Sequence, residues 1–148
     1  MEDRLKKLYQ SVILKHNKEP YNYRINDSAA HRIEAYNPLC GDQFDLYFTI
    51  SEGKIMDVSF HGFGCAISKS ATSVLVKKLE GKTMDAVLQL CKDYKSVTNP
   101  EITQPTTDDE ELLAFEAAKA FPERLKCATL SWEAMEDFIK NEELRIEN

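Results

Sequence analysis

No run of apolar residues in the sequence approaches the roughly 18 needed to cross a bilayer. The opening Met1-Glu2-Asp3 is acidic and leads into no uninterrupted apolar stretch, so no secretory signal peptide is expected. These two absences lead us to expect a cytoplasmic protein with no membrane segment. A basic surplus is missing too: 19 lysines and arginines stand against 25 acidic residues, a formal charge of −6. That argues against a nucleic-acid partner, whose usual footprint is basic. There is no internal repeat and no low-complexity tract. The four cysteines form no Cys-x-x-Cys pair, and disulfides are rare in reducing compartments. Cys40, Cys65, Cys91 and Cys127 are therefore read as thiols, metal ligands or core filler. What is present is 148 residues, 43% hydrophobic and 30% charged. That is the size and composition of a single domain, 1–148, with a core of its own.

Apolar positions Leu5, Leu8, Tyr9, Val12 and Ile13 recur at helical spacing and predict an amphipathic helix over about 2–15, ending near His16. Lys18 to Asn37 is polar and reads as loop, with a weak strand near Ala30 to Tyr36. Phe44, Leu46, Phe48 and Ile50 alternate with Asp45, Tyr47 and Thr49. After the turn Ser51-Glu52-Gly53-Lys54, Met56, Val58 and Phe60 alternate again, which predicts an antiparallel hairpin. Gly62-Phe63-Gly64 is expected to break the second strand and a helix to start near Cys65 or Ala66. Gly81 suits that helix's stop and Thr83 the cap of the next, whose stripe is Met84, Val87, Leu88 and Cys91. Lys95 to Asp109, with Pro100 and Pro105, reads as an exposed loop. Asp108 to Glu111 then places negative charge at a helix N-terminus. Phe121-Pro122 interrupts that helix, Cys127 falls in a short segment, and Ser131 is expected to cap a last helix carrying Met135, Phe138 and Ile139. Strands followed by helices make the class α+β.

The stretch Asn-Pro-Leu-Cys-Gly-Asp at 37–42 sets a thiol and a carboxylate side by side on a turn. A reactive nucleophile, a metal ligand and a plain turn all fit it. Cys91 belongs to an apolar stripe and is read as core. The other three sit outside any stripe, at element ends. Cys65 stands at a helix N-terminus, and Cys127 follows Arg124 and Lys126, settings that lower a thiol pKa. Three thiolates and Asp42 would make a competent tetrahedral zinc set. The residual charge of such a site calls for cations, for which Arg124 and Lys126 are candidates, or one cysteine leaves the metal and acts as a nucleophile. The histidines fit a helix end (His16), a polar stretch (His31) and a solvated strand end (His61). Ser68, Ser70 and Ser73 are expected to bond back to the helix or face solvent. No Ser-His-Asp order marks a hydrolase.

These residues carry a resemblance. Asn37 to Asp42, "GFGCAISKSA" at Gly62 to Ala71, "PERLKCATLSW" at Pro122 to Trp132 and "KHNKEPYN" at Lys15 to Asn22 resemble the iron–sulfur assembly proteins of the NifU N-terminal/IscU superfamily, and most of all its SufU branch. The resemblance spans nearly the whole chain. It implies a small antiparallel sheet of about three strands with helices on one face. It also implies Cys40, Asp42, Cys65 and Cys127 as metal residues binding Zn2+, or iron or a transient [2Fe–2S] cluster in the scaffold branch. That branch has a histidine immediately before its third cysteine, where this chain has Lys126. It also has an LPPVK chaperone-binding segment, where this chain has the acidic stretch from Asn99 to Glu111.

By the same resemblance the implied function is sulfur relay for iron–sulfur cluster biogenesis. A PLP-dependent cysteine desulfurase of the SufS type would supply a persulfide. Cys40 would leave the zinc, a partner histidine would replace it, and the freed thiolate would take the sulfur. Arg124 would stabilise the anionic site, and downstream iron–sulfur assembly proteins would receive the sulfur. As an enzyme it would be a zinc-dependent sulfurtransferase. The alternatives are a scaffold assembling a transient cluster, a binding module with structural zinc, and, least favoured, a thiol hydrolase.

Overall fold

In a computed structural model, residues 3–147 are described. The apolar stripe of the first segment makes helix α1 (Asp3–Lys18), one turn longer than its periodicity predicts. Val12 and His16 are buried, and Leu8, Tyr9 and Ile13 pack against the core. Strands β1 (His31–Asn37), β2 (Asp42–Ser51) and β3 (Lys54–Phe63) form one antiparallel sheet in the order β1-β2-β3. The weak strand is thus real. The β2–β3 turn has two residues, Glu52 and Gly53, both at positive φ (53° and 77°). This matches a type I′ hairpin, whose twist suits the strands. The alternation predicted for β2 and β3 sends Phe44, Leu46, Phe48, Val58 and Phe60 fully inward. β3 runs through Gly62 and Phe63, which pair with Phe44 and Gln43, and ends before Gly64, so the expected break falls at the last of the three residues. Along the free edge of β3 the backbone of Asn22 to Arg24 exchanges hydrogen bonds with Phe60.

Helix α2 (Ala66–Leu79) packs on β3 and α1, and its chain turns at Gly81, φ 81°. Helix α3 (Met84–Thr98) is capped as predicted, with Ala86 N donating to Thr83 Oγ1 at 3.2 Å. It runs further than expected. Lys95 to Thr98 belong to it, because Ser96 and Thr98 satisfy their hydroxyls on the carbonyls of Asp93 and Tyr94 and are buried. The connecting loop therefore starts at Asn99. Asp109 caps the one-turn helix α4 (Glu110–Leu113), which runs into a 3-10 turn at Ala114–Ala120. Beyond Phe121 a single 26-residue helix, α5 (Pro122–Glu147), replaces the expected short segment and capped last helix. Proline suits a first helical position because its missing N–H would be unpaired there. Ser131 lies inside α5 and is not a cap; its hydroxyl meets Thr72 Oγ1 of α2 at 2.7 Å.

Two arrangements fix the helices that carry the cysteines. Tyr94 of α3 stacks on Trp132 of α5, with centroids 3.8 Å apart and planes 6° from parallel. The Tyr94 hydroxyl donates to Ala128 O at 2.6 Å, and Trp132 Nε1 donates to Ala71 O at 2.9 Å. The second is a buried polar knot. His16 Nε2 lies 2.6 Å from Glu111 Oε2, and its Nδ1 lies 2.7 Å from Ser73 Oγ, which also accepts Tyr21 N–H. Lys77 and Lys78 reach the other Glu111 oxygen. His16 is thus in the last turn of α1 as expected, but buried there. Ser68, Ser70 and Ser73 are likewise buried rather than solvent-facing, although Ser68 and Ser70 do bond back to carbonyls as expected.

Candidate metal centre

The turn Asn37 to Asp42 joins β1 to β2, with Asn37 and Asp42 paired across the ladder. Asn37 Oδ1 accepts Leu39 N–H at 3.1 Å and Asn37 O accepts Gly41 N–H at 2.9 Å. Gly41, at φ 74°, closes the bend. The turn lifts Cys40 into solvent and starts β2 with the Asp42 carboxylate buried. Cys40 Sγ donates to Asp42 Oδ2 at 3.1 Å. The other carboxylate oxygen, Oδ1, accepts Cys65 N–H at 3.0 Å. A buried carboxylate needs such partners, and both come from cysteines.

Cys65 is the N-cap of α2. Its sulfur accepts Ser68 N–H at 3.4 Å, and Ser68 Oγ returns a bond to Cys65 O at 3.1 Å. A side-chain acceptor three residues before an orphan N–H is ordinary capping geometry, here with sulfur. Gly64 makes the approach possible. A Cβ there would meet Ser68 Oγ at 2.5 Å, Asp42 Oδ1 at 2.7 Å and Phe44 Cε2 at 2.9 Å. Cys127 arrives from the second turn of α5, on its buried face.

Cys40 Sγ, an Asp42 oxygen and Cys127 Sγ all lie within 4.8 Å of one another. Donors about 2.3 Å from a tetrahedral ion stand roughly 3.5–4 Å apart, so the trio fits a small, sulfur-preferring cation with little movement. Cys65 is outside that trio, since its sulfur is turned toward the Ser68 amide. It still neighbours Cys127: burial raises the Cys127 thiol, and hydrogen bonding and charge from Cys65 and then Asp42 raise it further. This corrects the expectation that Arg124 and Lys126 would lower it. Lys126 points outward to Glu133 at 3.6 Å. Arg124 is exposed in the first turn of α5 and, among the described residues, makes no side-chain ion pair or hydrogen bond. His61 is not in the cluster; its ring lies 4.8 Å from that of Tyr23. Cys91, pushed up to about 12 chiefly by burial, is core as expected.

Sequence reasoning left Ser68 out of the site; its position three residues after Cys65, a capping interval, is the signal for it. The fold thus brings three thiols and a carboxylate to one end of a three-stranded α+β sheet. The chain belongs to the NifU-like N-terminal domain family, whose model matches residues 8–145. It is 33% identical over 137 residues to the zinc-dependent sulfurtransferase SufU of Bacillus subtilis, covering 92% of each chain. It is 34% identical over 141 residues to the iron–sulfur cluster assembly scaffold protein IscU of Streptococcus pyogenes, covering 93% of this chain and 86% of that one. Among solved structures, a candidate SUF-system scaffold, FiSufU from Fervidobacterium islandicum, superposes with a TM-score of 0.76 at 30% identity. The match covers 88% of this chain and 95% of that one. The protein is therefore of the iron–sulfur cluster assembly family that contains SufU and IscU. Among the described residues no helix is long and apolar enough to cross a membrane.

Proposed function

We propose that this chain accepts sulfur on Cys40 from the persulfide of a PLP-dependent cysteine desulfurase of the SufS type and passes it to downstream iron–sulfur assembly proteins. The observation that carries the reading is an asymmetry of access. Cys40 is exposed while Asp42 and Cys127, within 4.8 Å, are buried. One sulfur is reachable by another protein's cysteine, and the others are held inside. Leu39, 95% exposed, and Phe63, 66% exposed, flank the thiols in sequence and supply apolar surface for docking.

The donor set of soft sulfurs and one carboxylate oxygen suits Zn2+, with Cys40, Asp42 and Cys127 as ligands and Cys65 joining after a turn of its side chain away from Ser68. Bound Zn2+ would keep its sulfur ligands as thiolates at neutral pH. The chain's own residues do the rest. Asp42 Oδ2 is placed to take the Cys40 proton. The Cys40 thiolate attacks the outer sulfur of the partner's persulfide. That S–S bond breaks, a new one forms on Cys40, and the partner cysteine leaves as a thiolate, with no net oxidation. Arg124, exposed in the first turn of α5, is the cation this reading assigns to stabilising the developing anion. Pyridoxal phosphate belongs to the partner.

The test mixes the protein with a SufS-type desulfurase and cysteine and follows alanine release. Wild type is expected to stimulate turnover and Cys40→Ala to abolish the stimulation; equal stimulation by the variant refutes the relay. The identity to IscU favours a second reading, a scaffold holding a transient [2Fe–2S] cluster on the same residues. Anaerobic reconstitution yielding a stable cluster on this chain would select it.

A further inference from the structure

Charge is unevenly placed in this molecule. The chain carries −6, yet α1 holds Arg4, Lys6, Lys7, Lys15 and Lys18 against the single acid Asp3. All five cations are exposed, and among the described residues only Arg4 of them is ion-paired, with Glu110 at 3.6 Å. The same helix exposes Leu14, at 71%, outside the stripe that packs into the core. A single exposed leucine needs no explanation; its surroundings give this one a meaning.

Two hollows run beside α1. One, of about 450 Å3, is walled by Ile13, Leu14 and Ile67. The other, of about 420 Å3, lies between Asp3 and Lys6 on α1 and Phe121, which is 42% exposed. Tyr9 and Gln10 line both, so the two join into one furrow. Its far wall is supplied by the start of α2 and the end of the 3-10 turn, elements on which α1 packs. Ile67 stands two residues after Cys65, and Phe121 immediately precedes α5, whose second turn holds Cys127. The furrow therefore reaches both helix starts that carry the inner thiols. Lys7 and Lys18, seven residues before and four after Leu14, share its face of the helix. Lys6 borders the second hollow.

Resting on the sulfur-relay reading above, we propose that the α1 furrow is the docking site for an acidic amphipathic helix of the cysteine desulfurase. Its apolar side chains seat in the two hollows and its carboxylates meet Lys6, Lys7 and Lys18. An apolar floor with a charged rim is the arrangement of helix-in-groove recognition. A nucleic acid brings no aliphatic side chains to fill the hollows. An anionic bilayer is repelled by the acidic remainder of the chain. Rim charges steer the encounter with an acidic partner, and do so less as salt rises.

The probe is the SufS-type desulfurase, titrated by calorimetry and assayed for alanine release. Lys6→Glu with Lys7→Glu, and separately Leu14→Asp, should each raise the dissociation constant and the half-saturating concentration about tenfold, with the plateau of stimulation unchanged. The wild-type constant should rise with salt and that of the double variant much less. The changed side chains are exposed, and acids near a helix N-terminus are favoured. Both variants should therefore melt with wild type and keep its zinc, and either one that does so decides the question. Cys40→Ala should show the reverse pattern, wild-type binding without stimulation. Coincident constants for wild type and the α1 variants overturn the docking assignment and leave the relay standing. Stimulation by Cys40→Ala equal to wild type overturns the relay instead. Wild type binding phosphatidylglycerol vesicles or a DNA duplex as tightly as the desulfurase, with that binding lost in both α1 variants, gives the furrow to that polyanion and overturns the proposal.

Discussion

Asp42 divides its carboxylate between two cysteines: Oδ2 accepts the Cys40 thiol at 3.1 Å and Oδ1 accepts the Cys65 amide at 3.0 Å. One buried side chain thus sets the distance between a turn and a helix N-terminus. Asp42→Ala leaves a buried amide without its acceptor and removes one donor of the trio. We expect the metal-free fold to lose about 1–3 kcal/mol and the protein to lose most of its bound zinc. Thermal melts and elemental analysis of the purified variant check both.

Gly64 lies where three atoms leave no room for a methyl group. Gly64→Ala is expected to cost about 1–3 kcal/mol and to push Ser68 and Asp42 apart. Zinc affinity measured against a competing chelator should fall together with stability. An unchanged affinity would mean that the cradle relaxes freely.

The four thiols differ in reach. In the zinc-free protein at pH 8, iodoacetamide should label exposed Cys40 first. Cys91, raised to about 12 by burial, should be labelled only on unfolding. Peptide mapping after timed quenching gives the order. Zinc removal by chelation should also lower the melting temperature, because the energy of metal binding is shared with folding.

Burial raises the Glu111 carboxyl. Hydrogen bonds from Lys77 and His16 and the charge of Lys78 overcome it and hold the group at about 2, against an ordinary 4.5. A folded-state value below the unfolded one adds stability above pH 4.5, and that stability is lost as pH falls toward 2. His16 is lowered by burial, against the pull of Glu111. It therefore adds stability above its ordinary 6.5, which is lost as pH falls below that value. Glu111→Gln should flatten the acid limb of the stability curve between pH 4.5 and 2. Chemical denaturation across that range reads it.

Trp132 is buried between α3 and α2, stacked on Tyr94 and bonded to Ala71 O. Trp132→Ala should cost about 3–5 kcal/mol. It should also loosen the helix that delivers Cys127, so zinc occupancy should fall with stability.

Much of the fold is written locally. The alternation of Phe44, Leu46 and Phe48 and of Val58 and Phe60, the Glu52-Gly53 turn, the Thr83 cap and the Gly81 stop each depend on a few neighbours, and each stands as read. The alternation fails beyond them, since beside Asp57 at φ 54° Ile55 is buried in place of Met56, and Ile50 is only half-buried. Helix α5 did not show itself, because charges at Glu123, Arg124 and Lys126 and a cap-like Ser131 interrupt its apolar face. Its continuity comes from Thr72, Tyr94 and Ala71, distant residues that satisfy Ser131, Ala128 and Trp132. The end of α3 was hidden for the same kind of reason, since its polar residues bond to the preceding turn.

The sequence alone determined which residue types were available and where two of the thiols stood: Cys40 on a turn with an aspartate two residues after it, and Cys65 at a helix start with a glycine beside it. Tertiary structure decided which of them meet. It put Cys40, Asp42 and Cys127 within 4.8 Å of one another, turned Cys65 toward its own helix amides, and left Cys40 exposed to solvent. The reason is physical. Caps and turns are settled within a few residues of chain, whereas the spacing of sulfurs that lie 25 to 87 positions apart is settled only when the sheet, α2 and α5 share one core.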